Sequence, residues 1–125
     1  MDKKQIEALE KEAKQRWGKT TAYKQSQERV KKMTKQDWAR INADGEKILQ
    51  DVVKLLDHDV HDKAVQEVIA RHYNHLRNFY EPSLEMYKGL AEMYLADPRF
   101  TAYFAKYHKA LPQFMHDAMG VYCEK

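Results

Sequence analysis

Residues 38–56 read WARINADGEKILQDVVKLL, and this stretch decides the fold class. Its large apolar side chains recur at helical spacing, mostly three, four or seven positions apart, at Trp38, Ile41, Ile48, Leu49, Val52, Leu55 and Leu56. This spacing places them along one face of a helix of about five turns. Thr34 followed by Asp37 is a typical N-cap with an acid in the first turn, so we expect the helix to begin there.

Further apolar stripes at helical spacing follow, separated by residues that cap or stop helices. A helix near residues 62–80 is expected to start with Asp62 as its cap and to end before Pro82, which cannot continue a helix. Later helix starts are marked by Ser83, by Asp97-Pro98 and by Pro112. No segment alternates apolar and polar residues as a strand does, so the pattern predicts an all-α fold.

The composition agrees with one helical domain. The chain has 125 residues, of which 43% are hydrophobic and 33% charged, and this suits a single core. It contains 4 Gly and 3 Pro, too few for the tight turns of a β-sandwich or barrel. No run of Val and Ile is long enough to form the buried strands of an α/β protein.

The first 33 residues differ from the rest of the chain. One narrow apolar stripe on a highly charged helix is formed by Ile6, Leu9, Ala13 and Trp17. Residues 19–33 are polar, with a short helix expected around Ala22–Val30. A helix with so little apolar surface needs a partner to lie on. We therefore divide the chain into an amphipathic N-terminal arm or lid, residues 1–33, and a helical core, residues 34–125.

The charge distribution is uneven. Residues 1–40 carry 12 Lys and Arg against 6 Asp and Glu, while the net charge of the chain is +3. A basic arm suits nucleic acid, but Glu7, Glu10 and Glu12 interrupt this one in the manner of a solvated helix, so we expect no nucleic-acid binding by this chain alone. There is one cysteine, no signal peptide and no membrane-spanning run, which indicates a soluble, cytoplasmic protein with no membrane partner.

The histidines and Cys123 are candidates for three functions: metal binding, haem binding and nucleophilic catalysis. The pairs His58/His61 and His72/His75 have a spacing that suits a shared metal, but no further ligands of fixed geometry accompany them. A helical histidine can also hold haem, yet nothing marks one as the proximal ligand. Cys123 has no base to activate it, and no nucleophile elbow or phosphate-binding loop occurs. We predict no metal, no cofactor and no enzymatic activity.

The aromatic and methionine content is high for a small helical chain, with 8 Tyr, 2 Trp, 4 Phe and 6 Met. The later helices carry Tyr80, Tyr87, Tyr94, Tyr103 and Tyr107. Buried tyrosine hydroxyls need partners, so these rings cannot all lie in a plain core. Two interpretations stay open: an ordinary core filled with Met, or a wetter face of Met and aromatic rings that binds a flat, apolar ligand.

Two segments are more specific than the composition. The first reads RWGKTTAYKQS at residues 16–26, followed by TKQDW at residues 34–38. The second reads GLAEMYLADPRFT at residues 89–101, followed by FMHDA at residues 114–118. Together they resemble the TipA-type antibiotic-recognition domain, the effector domain of MerR-family drug-responsive transcriptional activators and of stand-alone drug-binding relatives. The similarity extends over nearly the whole chain.

The resemblance implies a single globin-like helical domain with a deep cleft for thiopeptides or other bulky, multi-ring compounds. It also implies an N-terminal segment that is mobile when the cleft is empty and folds over the ligand. For the lid and mouth of the cleft we expect three aromatic residues, Trp17, Tyr23 and Trp38. For the cleft wall we expect His72, His75, Leu76, Phe79, Pro82, Met86 and Tyr87, with the histidines as polar anchors.

One departure from the family bears on the chemistry. In the thiopeptide-binding member, a cysteine attacks dehydroalanine units of the antibiotic, and the matching position here is Pro82. The resemblance therefore implies reversible binding. Since the chain begins at the effector domain, we expect either a stand-alone sequestering protein or a part attached to a MerR-type DNA-binding domain.

We therefore predict non-catalytic, reversible binding of bulky, largely apolar antibiotics or drugs, of thiopeptide or albicidin type, in drug response or resistance. The expected partners are a small-molecule antibiotic or hydrophobic drug and either a second copy of the chain or a DNA-binding domain. The alternative is a protein-interaction or dimerisation module without a small-molecule ligand.

Overall fold

The computed structural model describes residues 21–124, and within them every regular element is helical. A one-turn 3-10 helix, Leu76–Asn78, follows the third of six α-helices. The six are α1 Thr21–Lys31, α2 Lys35–Val53, α3 Lys63–His75, α4 Leu84–Ala96, α5 Pro98–Ala105 and α6 Leu111–Cys123. The predicted all-α fold is confirmed. The predicted stripe of Ile6, Leu9, Ala13 and Trp17 lies outside the described residues, so the division of the chain at residue 33 stays a prediction.

Three helix starts use the predicted caps. The Thr34 hydroxyl accepts a hydrogen bond from the Asp37 amide at 3.0 Å, and the Asp37 carboxylate accepts one from the Thr34 amide at 2.9 Å. The Ser83 hydroxyl accepts from the amide of Met86 at the start of α4. Asp97 accepts from the amide of Arg99, with proline at the first position of α5. In each case a side chain satisfies an amide that has no partner within the first turn of a helix.

The expectation that Asp62 caps α3 is wrong. Asp62 occupies the N-cap position without a side-chain cap bond, because its carboxylate lies 3.0 Å from Nδ1 of His58. The His58 contact and the helix cap compete for the same carboxylate, and in the structure the carboxylate contacts His58.

The expected helix over residues 62–80 is also shorter than the sequence pattern. The α-helical part ends at His75, whose carbonyl accepts a hydrogen bond from the Asn78 side chain at 2.8 Å. The Phe79 amide then bonds to the Leu76 carbonyl, which tightens the last turn into a 3-10 helix. Pro82 favours this early end, since its ring would clash with the carbonyl four residues earlier in a continuing α-helix.

The core lies where α4, α5 and α6 meet α2 and α3. α4 packs along α6, α5 lies against both, α2 packs on α3, and α3 also contacts α6. The cluster of buried residues comprises Leu49, Val52, Val65, Ile69, Tyr87, Ala91, Tyr94, Phe104, Leu111, Phe114, Met115, Ala118 and Met119. Met115 and Met119 are fully buried, so these two methionines fill the core, as the plainer interpretation of the Met content expects. No helix within residues 21–124 is both long and apolar enough to cross a membrane.

The α2–α3 seam depends on a glycine. His75 Nε2 donates to the carbonyl of Ile41 at 2.9 Å, which brings the imidazole against the α2 backbone. A Cβ at Gly45 would lie 3.2 Å from Cε1 of His75. Any larger residue at position 45 therefore has to displace a side chain that is held by a hydrogen bond.

This close approach predicts that alanine substitution changes the free energy of unfolding differently at two helical glycines. Gly89→Ala in α4 meets open space and should stabilise the protein by about 1 kcal/mol, the difference in helix propensity. Gly45→Ala should gain less than that or destabilise, because the methyl crowds His75. Urea unfolding of both variants measures the difference, and His75→Ala should restore the gain at position 45. Equal stabilisation by the two substitutions would show that the seam is not tight.

Candidate functional site

A buried histidine joins two helices at the centre of the candidate site. His72 on α3 is 8% exposed, and its Nδ1 lies 2.7 Å from the hydroxyl of Tyr87 on α4. Its Nε2 lies 3.5 Å from the hydroxyl of Tyr94, two turns further along α4. Burial, and after it the charge of His75, lowers the pKa of His72 to about 4. His72 is therefore neutral at pH 7, and both of its ring nitrogens face phenol groups.

Five tyrosines, of which only Tyr87 and Tyr94 contact this histidine, form a group that extends away from it. We call them the tyrosine cluster: Tyr80, Tyr87, Tyr94, Tyr103 and Tyr107. Burial, and then the neighbouring hydroxyls of Tyr80 and Tyr103, raise the pKa of Tyr94. Burial also raises the pKa of Tyr107, which donates a hydrogen bond to Tyr103. Tyr80, Tyr103 and Tyr107 are only half-buried, so the cluster reaches from the core to the surface.

Aromatic rings without hydroxyls complete the surroundings. The Tyr94 ring centroid lies 5.3 Å from that of Phe100 and 4.5 Å from that of Phe104. Tyr94 and Phe104 belong to the buried core, whereas Phe100 is half-buried, so the tilted pairs lead from the core to the surface. A half-buried aromatic ring of this kind can contact flat, multi-ring compounds that bury apolar area and make a small number of hydrogen bonds.

The described residues offer little for nucleophilic chemistry here. The Cys123 thiol donates to the carbonyl of Leu84, and burial raises its pKa, so it is protonated at neutral pH. A protonated thiol is a poor nucleophile. The arrangement is suited to binding through rings and hydroxyls.

Three of the predicted site residues meet in a second group, the Trp38 patch, which consists of Trp38, His75 and Phe79. The Phe79 ring centroid lies 6.1 Å from that of Trp38 and 6.2 Å from that of His75. All three side chains are half-buried. The patch thus brings α2, the end of α3 and the segment after it together, while His72 and Tyr87 belong to the tyrosine cluster.

The remaining predicted residues lie at different depths. Leu76 is half-buried against the core, and the carbonyl of Pro82 accepts a hydrogen bond from the hydroxyl of Tyr73 at 3.0 Å. Met86, in the first turn of α4, is 38% exposed. Tyr23 is half-buried on α1, and Trp17 lies outside the described residues. The role of each of these residues in binding stays a prediction.

Polar contacts hold α1 against the segment that follows α3. The side-chain oxygen of Gln25 accepts from the amide of Glu81 at 3.0 Å. Arg29 donates to the carbonyl of Arg77 at 2.6 Å and lies 3.8 Å from the Glu81 carboxylate. We call these contacts the α1 latch. It fastens α1 to the stretch of chain that also carries Phe79 and Tyr80.

Several of these residues were not among the predicted site residues. The high tyrosine content singled out Tyr80, Tyr94 and Tyr103, but helical facing alone did not show that they converge. Gln25 lies within the motif at residues 16–26, but neither it nor Arg29 was predicted as a contact, because a polar contact between distant segments leaves no periodic pattern.

The histidine pairs considered for metal binding have other partners. His58 Nδ1 lies 3.0 Å from Asp62, and His61 Nδ1 lies 2.8 Å from Asp59. Within residues 21–124, no three His, Cys, Asp or Glu side chains come together as metal ligands would.

Two open grooves occur on the surface of the described residues. One, of about 400 Å³, follows the outer α2–α3 seam and is lined in part by Ile48, Asn74 and His75. The other, of about 610 Å³, lies at the α4–α5 corner and includes Met93. Only the first adjoins predicted site residues, through His75 of the Trp38 patch.

Comparison with known proteins decides the family. The profile of the TipAS antibiotic-recognition domain matches residues 9–122. The chain belongs to this family. It is 34% identical over 113 residues to the HTH-type transcriptional activator TipA of Streptomyces coelicolor, across 88% of the chain and 45% of that protein. It is 26% identical over 114 residues to the HTH-type transcriptional activator mta of Bacillus subtilis, across 90% of the chain and 44% of that protein. This TipAS-type domain thus spans less than half the length of these relatives.

The fold comparison agrees. TipAS from Streptomyces lividans, solved in complex with the thiopeptide antibiotic nosiheptide, superposes with a TM-score of 0.86 at 31% sequence identity. The match covers 99% of this chain and 87% of that one. The expected globin-like, all-α arrangement of a TipA-type domain is confirmed.

The buried His72 predicts a loss of stability in acid. The unfolded chain takes up a proton near pH 6.5, whereas the native His72 takes it up only near pH 4, so the unfolded state binds more protons between these values. The free energy of unfolding should therefore fall by about 3 kcal/mol from this residue as the pH drops from 6.5 to 4. Urea unfolding at several pH values, compared with His72→Gln, measures it.

Replacing an exposed histidine, as in His108→Gln, should leave this pH dependence in place. A direct check is an NMR titration of the His72 ring in the wild-type protein. A midpoint near pH 6.5 would contradict the prediction, because it would mean that the ring is solvated.

The α1 latch predicts that a single substitution loosens α1. Arg29→Gln removes its charge from Glu81 and weakens the bond to the Arg77 carbonyl, a loss of about 1 kcal/mol for a partly exposed contact. Amide hydrogen exchange in Thr21–Lys31 should become about fivefold faster, while exchange in α4 and α6 stays the same. Lys31→Gln on the same helix is the control. Unchanged exchange in Arg29→Gln would mean that other contacts hold α1.

Proposed function

We propose that this TipAS-type domain binds bulky, largely apolar, multi-ring antibiotics, including thiopeptides, between the tyrosine cluster and the Trp38 patch. The observation that carries the proposal is the match of 99% of the chain to TipAS, a protein solved with nosiheptide. The ring-lined surroundings of Tyr94 support it, since they suit flat ligands with few polar groups.

Binding is proposed to be reversible and without catalysis. Pro82 stands where the resemblance places the reactive cysteine, and a proline has no nucleophile. The protonated thiol of Cys123 does not replace it. The ligand therefore dissociates chemically unchanged, and the effect of the domain depends only on whether the ligand is bound.

In this proposal the first 33 residues act as a lid over the bound compound, with Trp17, Tyr23 and Trp38 as aromatic contacts. The α1 latch supports this role, because it ties α1 to the segment that carries Phe79 and Tyr80. A ligand that contacts those two rings would change the position of α1 through the latch. The domain would then report binding to whatever is attached at its N-terminal side.

The names of the relatives suggest the wider role. Both are transcriptional activators about twice as long as this chain. We propose that the domain serves in drug response, either as the effector part of a MerR-type regulator or as a cytoplasmic protein that sequesters the drug.

Titration with nosiheptide tests the proposal. Wild-type protein should bind at micromolar concentration or tighter, seen as a change in tryptophan fluorescence, and mass spectrometry after denaturation should find the protein unmodified. Phe79→Ala should weaken binding about tenfold, as expected for an aromatic residue central to an interface. Leu95→Ala truncates an exposed apolar side chain of α4 and should bind like the wild type.

Two results would overturn parts of this proposal. A covalent adduct would contradict reversibility. If neither nosiheptide nor a panel of bulky apolar drugs binds at micromolar concentration, the small-molecule function is wrong, and a stable dimer by light scattering would then support the interaction-module alternative.

A further inference from the structure

The contacts of His72 leave one hydroxyl hydrogen over. Tyr87, neutral His72 and Tyr94 together carry three exchangeable hydrogens, one on each hydroxyl and one on the ring. The two contacts, Nδ1 with Tyr87 at 2.7 Å and Nε2 with Tyr94 at 3.5 Å, use only two of them. One hydroxyl hydrogen must therefore point away from the histidine.

The tautomer of His72 decides which hydroxyl that is. With the ring hydrogen on Nε2, Tyr87 donates to Nδ1, Nε2 donates to the Tyr94 oxygen, and the Tyr94 hydrogen is left over. With the ring hydrogen on Nδ1, Tyr94 donates to Nε2, and its oxygen is left with accepting capacity. Tyr94 thus offers a donor in one tautomer and an acceptor in the other.

Tyr94 is also the more weakly held of the two tyrosines. Its 3.5 Å contact is well beyond the usual 2.7–2.8 Å for a hydroxyl hydrogen bond, whereas the Tyr87 contact is of normal length. Tyr94 is only 6% exposed, so water satisfies its hydroxyl poorly. A buried polar group with a weak partner is costly, and a ligand that supplies a good partner gains that free energy on binding.

The surroundings connect this hydroxyl to the proposed binding site. The Phe104 ring centroid lies 4.5 Å from that of Tyr94 and 5.3 Å from that of Tyr103, which is half-buried. The Phe100 ring centroid lies 5.3 Å from that of Tyr94, and Phe100 is also half-buried. A ligand that displaces the Phe100 ring would reach Tyr94 from the surface.

We propose that the Tyr94 hydroxyl is the polar recognition point at the floor of the binding site, and that the His72 tautomer sets whether it donates or accepts. This rests on the proposed function. The ligand class it specifies is a neutral multi-ring compound whose inner end carries one hydrogen-bonding group. A carbonyl or ring nitrogen selects the first tautomer, and an amide N–H or hydroxyl selects the second. Ionised groups are disfavoured, because Tyr94 is buried and its contact His72 is neutral, so neither residue can pair a charge.

The test compares nosiheptide binding to wild type, Tyr94→Phe and Tyr122→Phe by titration calorimetry. Tyr94→Phe keeps the ring and removes only the hydroxyl, and it should weaken binding about 3- to 10-fold. Tyr122→Phe removes the hydroxyl of a half-buried tyrosine whose ring centroid lies 5.7 Å from that of Tyr87, and it should bind like the wild type.

A second readout separates recognition from mere folding. In ¹⁵N-labelled protein, the protonated and unprotonated ring nitrogens of His72 have very different shifts. In the wild type, binding should change the ratio of the two His72 tautomers or leave only one of them populated. In Tyr94→Phe, binding should leave the tautomer ratio unchanged.

The outcomes distinguish this inference from the function on which it rests. If the wild type does not bind nosiheptide or the drug panel, both are overturned. If the wild type binds while Tyr94→Phe binds equally tightly and the His72 signals do not respond, the inference fails and the proposed function stands.

Discussion

The hydrogen bond between His72 and Tyr87 is the interaction on which the candidate site depends. It ties α3 to α4 inside the core, where an unpaired imidazole or phenol would be destabilising. Because burial keeps the ring neutral, the histidine can accept at one nitrogen and donate at the other. Burial also raises the pKa of Tyr87 and Tyr94, so both phenols stay protonated. Among the described residues, His72, Tyr87 and Tyr94 thus form a buried polar group that is uncharged at pH 7.

The early end of α3 determines how the rest of the site is arranged. The Asn78 side chain donates a hydrogen bond to the carbonyl of His75, which is then not free to continue the α-helix, so the α-helix ends before Phe79. Residues 79–83 then form an irregular segment that presents Phe79 to the Trp38 patch and Tyr80 to the tyrosine cluster. The same segment supplies Glu81 to the α1 latch. One local change of helix type therefore links both aromatic groups to the N-terminal part of the domain.

The sequence predicted helix starts and core positions correctly where they depend on interactions between residues close together in the chain. The caps at Thr34, Ser83 and Asp97 form because a side chain and an amide two or three residues apart meet in almost any context. The prediction that Asp62 caps α3 was wrong for a reason that is also local. His58, four residues earlier, contacts the carboxylate that the cap would need. The core stripes were also predictable, because helical periodicity follows directly from burial of one face.

The site was only partly predictable from the sequence. Helical facing and the family resemblance selected His72 and Tyr87, which the structure brings together, and Trp38, His75 and Phe79, which form one patch. They did not select Tyr80, Tyr94 or Tyr103. These residues come from an irregular segment and two helices, and their meeting depends on the angles at which α4 and α5 pack.

By itself, the sequence determined the helical class, most helix boundaries and the family, because periodicity, caps and specific motifs are properties of neighbouring residues. Only the tertiary structure decided which two of the eight tyrosines contact His72, and that the three residues together carry one hydroxyl hydrogen more than their two contacts use. Hydrogen-bond partners at separations of 15 and 22 residues are set by helix packing, which no local pattern encodes.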